Sequence, residues 1–463
     1  MGASRDFVLG LLAIAFVLAF MFRFEGTSTG GAVPRLVPRW VAAHEAPESV
    51  AKPKVEAASQ GTSTKLATPE GLVDFPGYLG PHRTGEIEGN LNPDWTNSPP
   101  AELWRRPVGL GWGAFSVVGP RAVTMEQRGD EEFTTCCQVA TGELLWAESD
   151  GGRFSEAMGG DGPRSTPTIL DGAVYTVGAL GALNCRDLVT GELRWTANVL
   201  KAAESAKNLE WATTSSPLVY DGRVYAFGGR DNAAGRLLAF DAEAGSFLWA
   251  SGEGDASYAS PSLGVVDGVS QILSTNPRGL SGHDPVTGIE LWNHRWVGAM
   301  PIKAAQIQVL DNGDLFCGAG YNLGSIRLTV KRGSEGAWVA TEKWVSDKMK
   351  TKFSNASIRG DYAWGLDEGR FVCQDLTTGE RLWKETRYGY GQQLLVGDHF
   401  LIQAERGYLA LVEARHDKFV ERSRVEALDS KTWNPPCLAG EYLLVRNDRE
   451  AICFRVPVLS AGN

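Results

Sequence analysis

The sequence predicts an all-β fold, an eight-bladed β-propeller, preceded by an N-terminal transmembrane helix and a flexible tether. Three observations lead to this prediction. A nine-residue pattern that ends in tryptophan recurs along the chain. The 463 residues include 55 glycines, 22 prolines and 15 tryptophans, a composition that favours many short strands joined by tight turns. One apolar run lies near the N-terminus, and a stretch of small and polar residues separates it from the repeats.

The apolar run extends over 16 residues from Phe7 to Phe22, with Arg5 and Asp6 before it and Arg23 after it. It is slightly short for a spanning helix of ~20 residues and long for a signal-peptide core of roughly 7 to 15. No small-residue cleavage motif follows directly, which favours an uncleaved signal anchor over a removed signal peptide. Residues 1–24 are therefore assigned to a single-pass inner-membrane helix that places the folded part in the periplasm.

The rest of the chain divides into four segments by composition. Residues 25–71 are rich in Gly, Ser, Thr, Ala and Pro and lack an apolar period, so we interpret them as a disordered linker. Residues 72–100 form a lead-in to the repeats. The propeller extends over 101–457, and 458–463 form a tail.

The repeated pattern is D-x-x-T-G-x-x-x-W, as in "DLVTGELRW" at 187–195. A variant, "QVATGELLW" at 138–146, has glutamine in the first position. Glycine takes the positive-φ place in the turn, and tryptophan begins the outer strand, where its flat ring can pack on the neighbouring repeat. Further copies lie at 241–249, 284–292 and 375–383. The tryptophans assigned to this docking role are Trp104, Trp146, Trp195, Trp249, Trp292, Trp344 and Trp383.

Upstream of each copy, strand-forming segments flank Asp-Gly turns, as at Asp171-Gly172 and Asp221-Gly222. Four antiparallel strands per unit are typical of a propeller blade. An eighth unit from 434 supplies three strands, and 101–109 can supply the fourth, which closes the ring and removes open edges. Seven blades is the alternative count. The first seven units lie near 113–147, 162–197, 213–251, 257–294, 302–346, 353–385 and 391–425.

These repeats resemble the pyrroloquinoline-quinone-like (PQQ-like) repeat of the family that contains quinoprotein alcohol dehydrogenases and the BamB outer-membrane assembly protein. The resemblance covers roughly 100–456. It implies the propeller fold and leaves the activity open, because the family contains both enzymes and scaffolds. A quinone enzyme would need a calcium cluster of Glu, Asn or Asp, a lysine or arginine, a stacking tryptophan and an aspartate base. The possible oxygen ligands are Glu156, Asp161, Glu210 and Asp255, and their spacing does not define a site.

Two adjacent cysteines, Cys136 and Cys137, also bear on whether the chain is a quinone enzyme. In quinone-dependent dehydrogenases a vicinal cysteine pair closes a ring over the cofactor. Alignment on the turn glycine places Cys136 at a small-residue position in the third strand, where cysteine acts as a core filler. Cys137 falls at a variable position that faces the other way. We therefore expect two strand residues. The residues aligned with Cys136 are Cys185, Ala239, Gly282 and Cys373.

Loops that enter the innermost strands surround the centre of a propeller and hold its ligand sites. The same aromatic residues could instead simply fill the centre. No catalytic residue and no metal site is predicted, and no cofactor is expected outside the quinone alternative, in which PQQ and calcium would bind. The candidate ligand-binding residues on these loops are Trp112, Arg164, Trp211, Tyr258, Lys303, Asn355, Gln392, Trp433 and Asn434.

A net charge of −10 argues against nucleic acid as a partner, and the cysteine and histidine spacings argue against zinc. The favoured function is a membrane-tethered, non-catalytic propeller that binds a protein partner or an envelope component. One alternative is a periplasmic PQQ-dependent dehydrogenase. Another is a carbohydrate-binding propeller that stacks sugars on Trp112, Trp211, Tyr258 and Trp433.

Overall fold

A computed structural model describes residues 21–28, 33–38 and 66–459. The last of these segments forms eight antiparallel blades, each hydrogen-bonded in order from an innermost first strand to an outermost fourth strand. First strands of neighbouring blades contact each other, as Ser116–Val118 and Thr168–Leu170 do. They therefore surround a central axis, and the predicted eight-bladed propeller is confirmed.

Blades 1 to 4 follow the chain. Blade 1 consists of Ser116–Val118, Arg121–Arg128, Glu131–Gln138 and Leu144–Gly151. Blade 2 consists of Thr168–Leu170, Ala173–Val177, Ala182–Asp187 and Leu193–Asn198. Blade 3 consists of Leu218–Tyr220, Arg223–Phe227, Leu237–Asp241 and Phe247–Ser251. Blade 4 consists of Ser262–Val266, Val269–Asn276, Gly279–His283 and Glu290–Arg295. A short helix, Val199–Ala202, and the strand Ser205–Lys207 connect blades 2 and 3. This strand pairs with Arg230–Asn232 from the loop between the second and third strands of blade 3.

Blades 5 to 8 complete the ring. Blade 5 consists of Gln308–Val309, Leu315–Ala319, Gly324–Arg332 and Trp338–Ser346. Blade 6 consists of Ser357–Arg359, Tyr362–Asp367, Arg370–Asp375 and Arg381–Arg387. Blade 7 consists of Gln392–Val396, His399–Gln403, Leu409–Glu413 and Glu421–Val425. Blade 8 consists of Cys437–Ala439, Tyr442–Arg446, Glu450–Arg455 and Ala101–Pro107.

The ring closes in blade 8, where both ends of the propeller meet. Ala101–Pro107 pairs antiparallel with Glu450–Arg455, as predicted for 101–109. Arg446 of the same blade is fully buried and donates hydrogen bonds to the carbonyl oxygens of Gly109 and Met125, at 2.9 and 2.7 Å. These bonds hold the last blade to the first.

Outer-strand tryptophans connect consecutive blades. The ring of Trp104 in blade 8 lies on Gly142, in the turn of blade 1. A Cβ at Gly142 would lie 2.6 Å from that ring, and φ there is +71°, so glycine suits the position on both grounds. The indole N–H of Trp104 donates to the Val139 carbonyl at 2.7 Å. The same ring-on-glycine contact joins Trp146 to Gly191, Trp195 to Gly245, Trp249 to Gly288 and Trp344 to Gly379.

Trp292 and Trp383 have different surroundings because blades 5 and 7 lack the turn of the repeated motif and its glycine. Trp292 donates to the Gln271 side chain within its own blade at 2.7 Å. Trp383 packs against Phe371 and Phe419, with ring centroids 5.7 and 5.9 Å away. The outer strand therefore has a tryptophan even where the next blade lacks the glycine on which its ring would lie.

Both adjacent cysteines are free, buried strand residues, as expected from the alignment. Cys136 lies across the sheet from Trp146 and packs in one core cluster. Cys137 packs in another, which includes Cys453 of blade 8. A small residue therefore lies opposite each aligned tryptophan. The equivalent cross-strand pairs are Cys185 with Trp195, Ala239 with Trp249, Gly282 with Trp292 and Cys373 with Trp383.

The lead-in crosses one end of the central channel and contacts the innermost edges of several blades. Phe75 pairs with Val117 of blade 1, and the carbonyl of Pro76 accepts from Ile169 N–H of blade 2 at 2.7 Å. Glu86–Ile87 then adds a parallel fifth strand to the inner edge of blade 7. The lead-in thus closes this end of the channel.

The N-terminal region is described in part. Phe22–Ser28 pairs antiparallel with Val33–Pro38. No helix in the described part of the chain combines the length and apolar character needed to cross a membrane. The predicted membrane segment, up to residue 20, and most of the predicted linker lie outside the described residues.

Candidate functional site

A cavity of about 370 Å³ opens on the face of the disc formed by the loops that enter the first strands. We call it the funnel. Tyr321 reaches it from the loop between the second and third strands of blade 5. Every blade contributes to its wall, in the order Trp112, Arg164, Trp211, Tyr258, Ile302, Phe353, Gln392 and Trp433.

The lead-in supplies the floor of the funnel. The Tyr78 hydroxyl accepts a hydrogen bond from Asn355 Nδ2 at 3.0 Å. The Arg83 guanidinium donates to the carbonyl oxygens of Ser216 and Pro217, both at 3.0 Å. Burial raises the pKa of Tyr78 to about 12 and lowers the pKa of Arg83 to about 10, so the phenol is neutral and the guanidinium charged at neutral pH. The funnel is therefore blind, with access from one face.

Aromatic rings form much of the wall. Trp433 contacts Trp112 and Phe353, with ring centroids 5.1 and 5.2 Å apart. Trp211 and Tyr258 form a separate pair at 5.2 Å. Tilted aromatic pairs of this kind are mutually stabilising, so contacts between the rings help to hold the apolar wall in place.

Three cationic side chains accompany these rings. Lys431 Nζ lies 3.9 Å from the Trp433 ring centroid, and Lys352 Nζ lies 4.6 Å from that of Tyr390, both within cation–π range. Arg164 stacks on Phe154 at 4.7 Å and donates to the carbonyl oxygens of Gly160 and Gly162. Burial lowers the pKa of Arg164 to about 10, which leaves it charged at neutral pH.

The structure brings six of the nine predicted ligand-binding residues to the funnel wall: Trp112, Arg164, Trp211, Tyr258, Gln392 and Trp433. Asn355 instead contacts Tyr78 in the floor. Lys303 points away, and its Nζ donates to the carbonyl oxygens of Asn276 and Pro277 at 3.1 and 3.0 Å. Asn434 is buried and donates to two backbone carbonyls. These last two side chains stabilise the loops behind the wall.

Sequence reasoning missed several lining residues, and a simple spacing would have found three of them. The predicted residues Trp112, Arg164, Tyr258 and Trp433 each lie four positions before the first strand of their blade. The missed residues at this position are Thr214, Ala304 and Phe353. Tyr78 and Tyr321 come from segments outside the loops considered, and no repeat marks them. The remaining missed residues are Met158, Gly159, Ser216, Ser260, Met300, Ile302, Lys352 and Pro435.

The oxygen ligands considered for a quinone enzyme do not converge. Glu156 accepts from the backbone N–H groups of its own loop, and Asp161 contacts Ser155 and Arg153. Asp255 accepts from the Asp231 N–H, which belongs to the loop between the second and third strands of blade 3, and Glu210 is exposed. Among the described residues, no carboxylate lines the funnel and no three His, Cys, Asp or Glu side chains could hold one metal ion. This donor set does not fit a calcium-bound quinone.

Fold and site together define a PQQ-like repeat propeller with a blind, ligand-sized funnel. The chain belongs to the family described as outer membrane protein assembly factor BamB, whose model matches residues 129–385, more than half of the chain. No curated protein sequence matches.

Solved structures with the same fold have little sequence in common with this chain. BamB from Moraxella catarrhalis is 14% identical, and the alignment covers 77% of this chain and 99% of that one, with a TM-score of 0.53. The computationally designed Ika8 protein is 12% identical, with 77% and 100% coverage and a TM-score of 0.52. The quinohemoprotein alcohol dehydrogenase of Comamonas testosteroni is 11% identical, with 84% and 81% coverage and a TM-score of 0.47. The first two likenesses show the fold alone.

Proposed function

We propose that this chain is a non-catalytic, protein-binding propeller of the bacterial envelope, tethered to the inner membrane, whose funnel receives a segment of its partner. The observation that carries the proposal is the blind, aromatic funnel, to which all eight blades contribute. A concave apolar site with a few convergent polar groups is the usual form of a binding site. The family description, an outer membrane protein assembly factor, supports an envelope protein as the partner.

The position of the lead-in supports a funnel that faces away from the membrane. Gly71 contacts the turn at Gly440 and Glu441 in blade 8, and Asp74 accepts from Gly119 N–H in blade 1. Both turns join first to second strands, at the end of these strands opposite the funnel. The chain therefore enters the propeller on the closed face. With an anchor at residues 1–24, the funnel would open toward the periplasm.

The wall geometry favours a peptide over a glycan. Sugar rings stack on open aromatic faces, whereas the Trp433 ring is flanked by Trp112, Phe353 and the Lys431 ammonium group. The Trp211–Tyr258 pair is the part of the wall that best supports the carbohydrate alternative. A wall that combines aromatic rings with cations can contact apolar and acidic side chains, and a protein segment supplies both.

Photo-cross-linking in cells tests the proposal. A photoreactive amino acid replaces Met300, an exposed residue of the funnel wall, in the full-length chain. The matched control replaces Val286, exposed in the outer turn of blade 4. We expect a discrete adduct with one envelope protein from position 300 and none from 286. Identical adducts from both positions, or none from 300, would contradict a funnel-docked protein partner.

A further inference from the structure

We infer that the funnel selects an apolar group that carries a negative charge, and that its occupant is an acidic segment of a partner protein with an aromatic or aliphatic side chain beside a carboxylate. The inference rests on the proposed function, because it specifies the chemistry of the segment that enters the same cavity. It follows from the wall, from the cations around it, and from the placement of the nearby carboxylates.

The residues of the funnel wall are the reason to expect an apolar side chain on the bound segment. Tryptophan, tyrosine and phenylalanine from six different blades and the lead-in meet there, with Met300 and Ile302 between them. Transfer of an apolar side chain from water into such a site is favourable by about 25 cal/mol per Å². The cavity of about 370 Å³ accommodates a large side chain with its flanking backbone, so one or two anchor residues would fill it.

Arg164 is the main reason to expect a negative charge on the bound group. It lines the funnel, and its two terminal nitrogens donate to the backbone carbonyls of Gly160 and Gly162. The carboxylates of Glu156, Glu132 and Asp161 lie near enough to favour its charged form. Among the described residues none of these three forms a direct ion pair with it, and Asp161 pairs with Arg153 instead. A buried guanidinium whose partners are neutral carbonyls gains from a bound anion. An arginine in this position therefore favours a carboxylate and disfavours a cation.

The two lysines extend the positive potential around the aromatic wall. Lys352 lies over the rings of Tyr321 and Tyr390, at 4.9 and 4.6 Å, and Lys431 lies over Trp112 and Trp433, at 4.7 and 3.9 Å. Lys352 lines the cavity, and Lys431 lies over two rings of its wall. Glu368 and Glu405 lie near enough to Lys352 to favour its charged form, so an anion on the bound segment meets a charged ammonium group at the wall.

Nearby carboxylates are directed into the protein. Glu405 accepts from the Trp433 indole N–H at 3.0 Å and from Tyr390 N–H at 3.2 Å. Glu368 accepts from the Tyr390 hydroxyl at 2.8 Å. These acids position the aromatic wall. A wall with an arginine, a lysine and no carboxylate is unexpected in a chain whose net charge is −10, and it complements an acidic ligand.

Two dyes with the same ring skeleton test the charge selectivity. Anilinonaphthalene sulfonate is anionic, and N-phenylnaphthylamine is its neutral counterpart. Fluorescence titration of the full-length protein in detergent should show at least tenfold tighter binding of the anionic dye at low salt, with the difference reduced at high salt. Arg164→Gln should weaken the anionic dye about tenfold or more and change the neutral dye less than about twofold. Phe353→Ala should weaken both dyes.

Lys352→Gln provides a second charge variant if Arg164→Gln disturbs its loop, and thermal unfolding of each variant checks the fold. Lys343→Gln, on the exposed outer strand of blade 5, is the matched control and should change neither dye. Equal affinities for the two dyes, or anionic binding insensitive to the Arg164, Lys352 and Phe353 substitutions, would overturn the inference. Selective dye binding without a Met300 adduct would overturn the protein partner and leave the charge selectivity standing. A Met300 adduct together with equal affinities for the two dyes would overturn the charge selectivity and leave the protein partner standing.

Discussion

Glu132 shows how a single buried acid makes the stability of this protein depend on pH. It lies in the third strand of blade 1 and is 1% exposed. Its Oε2 accepts from Ala179 N–H of blade 2 at 2.9 Å, and no described residue hydrogen-bonds to its Oε1. Burial raises the pKa of Glu132 from 4.5 to about 7. The protonated form is therefore the one that suits the folded state.

The sign of the pH dependence follows directly. Between pH 4.5 and about 7 the folded protein holds a proton that the unfolded chain has lost, so stability falls as pH rises through this window. Glu132→Gln should remove this fall and, at pH 8, stabilise the protein by on the order of 3 kcal/mol. Urea unfolding of both proteins at pH 5 and pH 8 measures the change in the free energy of unfolding. The exposed neighbour Glu131→Gln should keep the wild-type slope, and a Glu132→Gln protein with that same slope would contradict the assignment.

The funnel residues show how far single positions could be predicted from the sequence. The residue four positions before the first strand lines the cavity in seven blades, all except blade 7. Lys303 and Asn434 lie one position to either side of this place and point into the loops. A shift of one residue in an extended loop reverses the side-chain direction. The loops could therefore be identified from the sequence, while the direction of each side chain depended on strand boundaries that the sequence leaves uncertain by a few residues.

At the scale of elements, the blade motif was predictable because its contacts are local. Asp187 Oδ1 accepts from the N–H groups of Val189 and Thr190, and this fixes the turn before the outer strand. The tryptophan then reaches the next copy of the same turn. Glu86–Ile87 has no such signal, since it pairs with blade 7, about 300 residues further along the chain. Short non-periodic strands that pair over such distances leave no pattern in a sequence.

Two docking tryptophans form a matched pair that separates ring packing from hydrogen bonding. Trp195 lies on Gly245 and donates to the Ala242 carbonyl at 3.0 Å. Trp249 lies on Gly288, but its N–H has no partner among the described residues. Trp195→Phe should therefore destabilise the protein by about 1 kcal/mol more than Trp249→Phe, the net value of one hydrogen bond. Urea unfolding of both variants measures the difference, and equal losses would show that packing alone holds these rings.

At the scale of the whole molecule, the quinone alternative gives a prediction about calcium. Because no three acidic, histidine or cysteine side chains of the described residues come together as a metal site, calcium should add nothing to the effect of PQQ. The thermal midpoint with PQQ should be the same with and without calcium, and no alcohol should be oxidised. A tight calcium-dependent complex would raise the midpoint by mass action. A calcium-dependent rise of several degrees that is lost in Arg164→Ala or Trp211→Ala would support a quinoprotein dehydrogenase.

The lead-in should be an integral part of the propeller, although the ring closes without it through Ala101–Pro107. It buries Phe75, Leu79, Leu91 and Trp95 in the core that joins blades 1, 7 and 8. Burial of four such side chains contributes on the order of 6 to 12 kcal/mol. A chain that starts at residue 97 should therefore melt roughly 8 to 16 °C below the full-length protein, whereas a chain that starts at 66 should melt within about 1 °C of it. Equal midpoints for the two shortened chains would mean that the lead-in merely lies against a ring that is already complete. A large drop for the shorter chain alone would show that the floor of the funnel and the stability of the ring depend on the same residues.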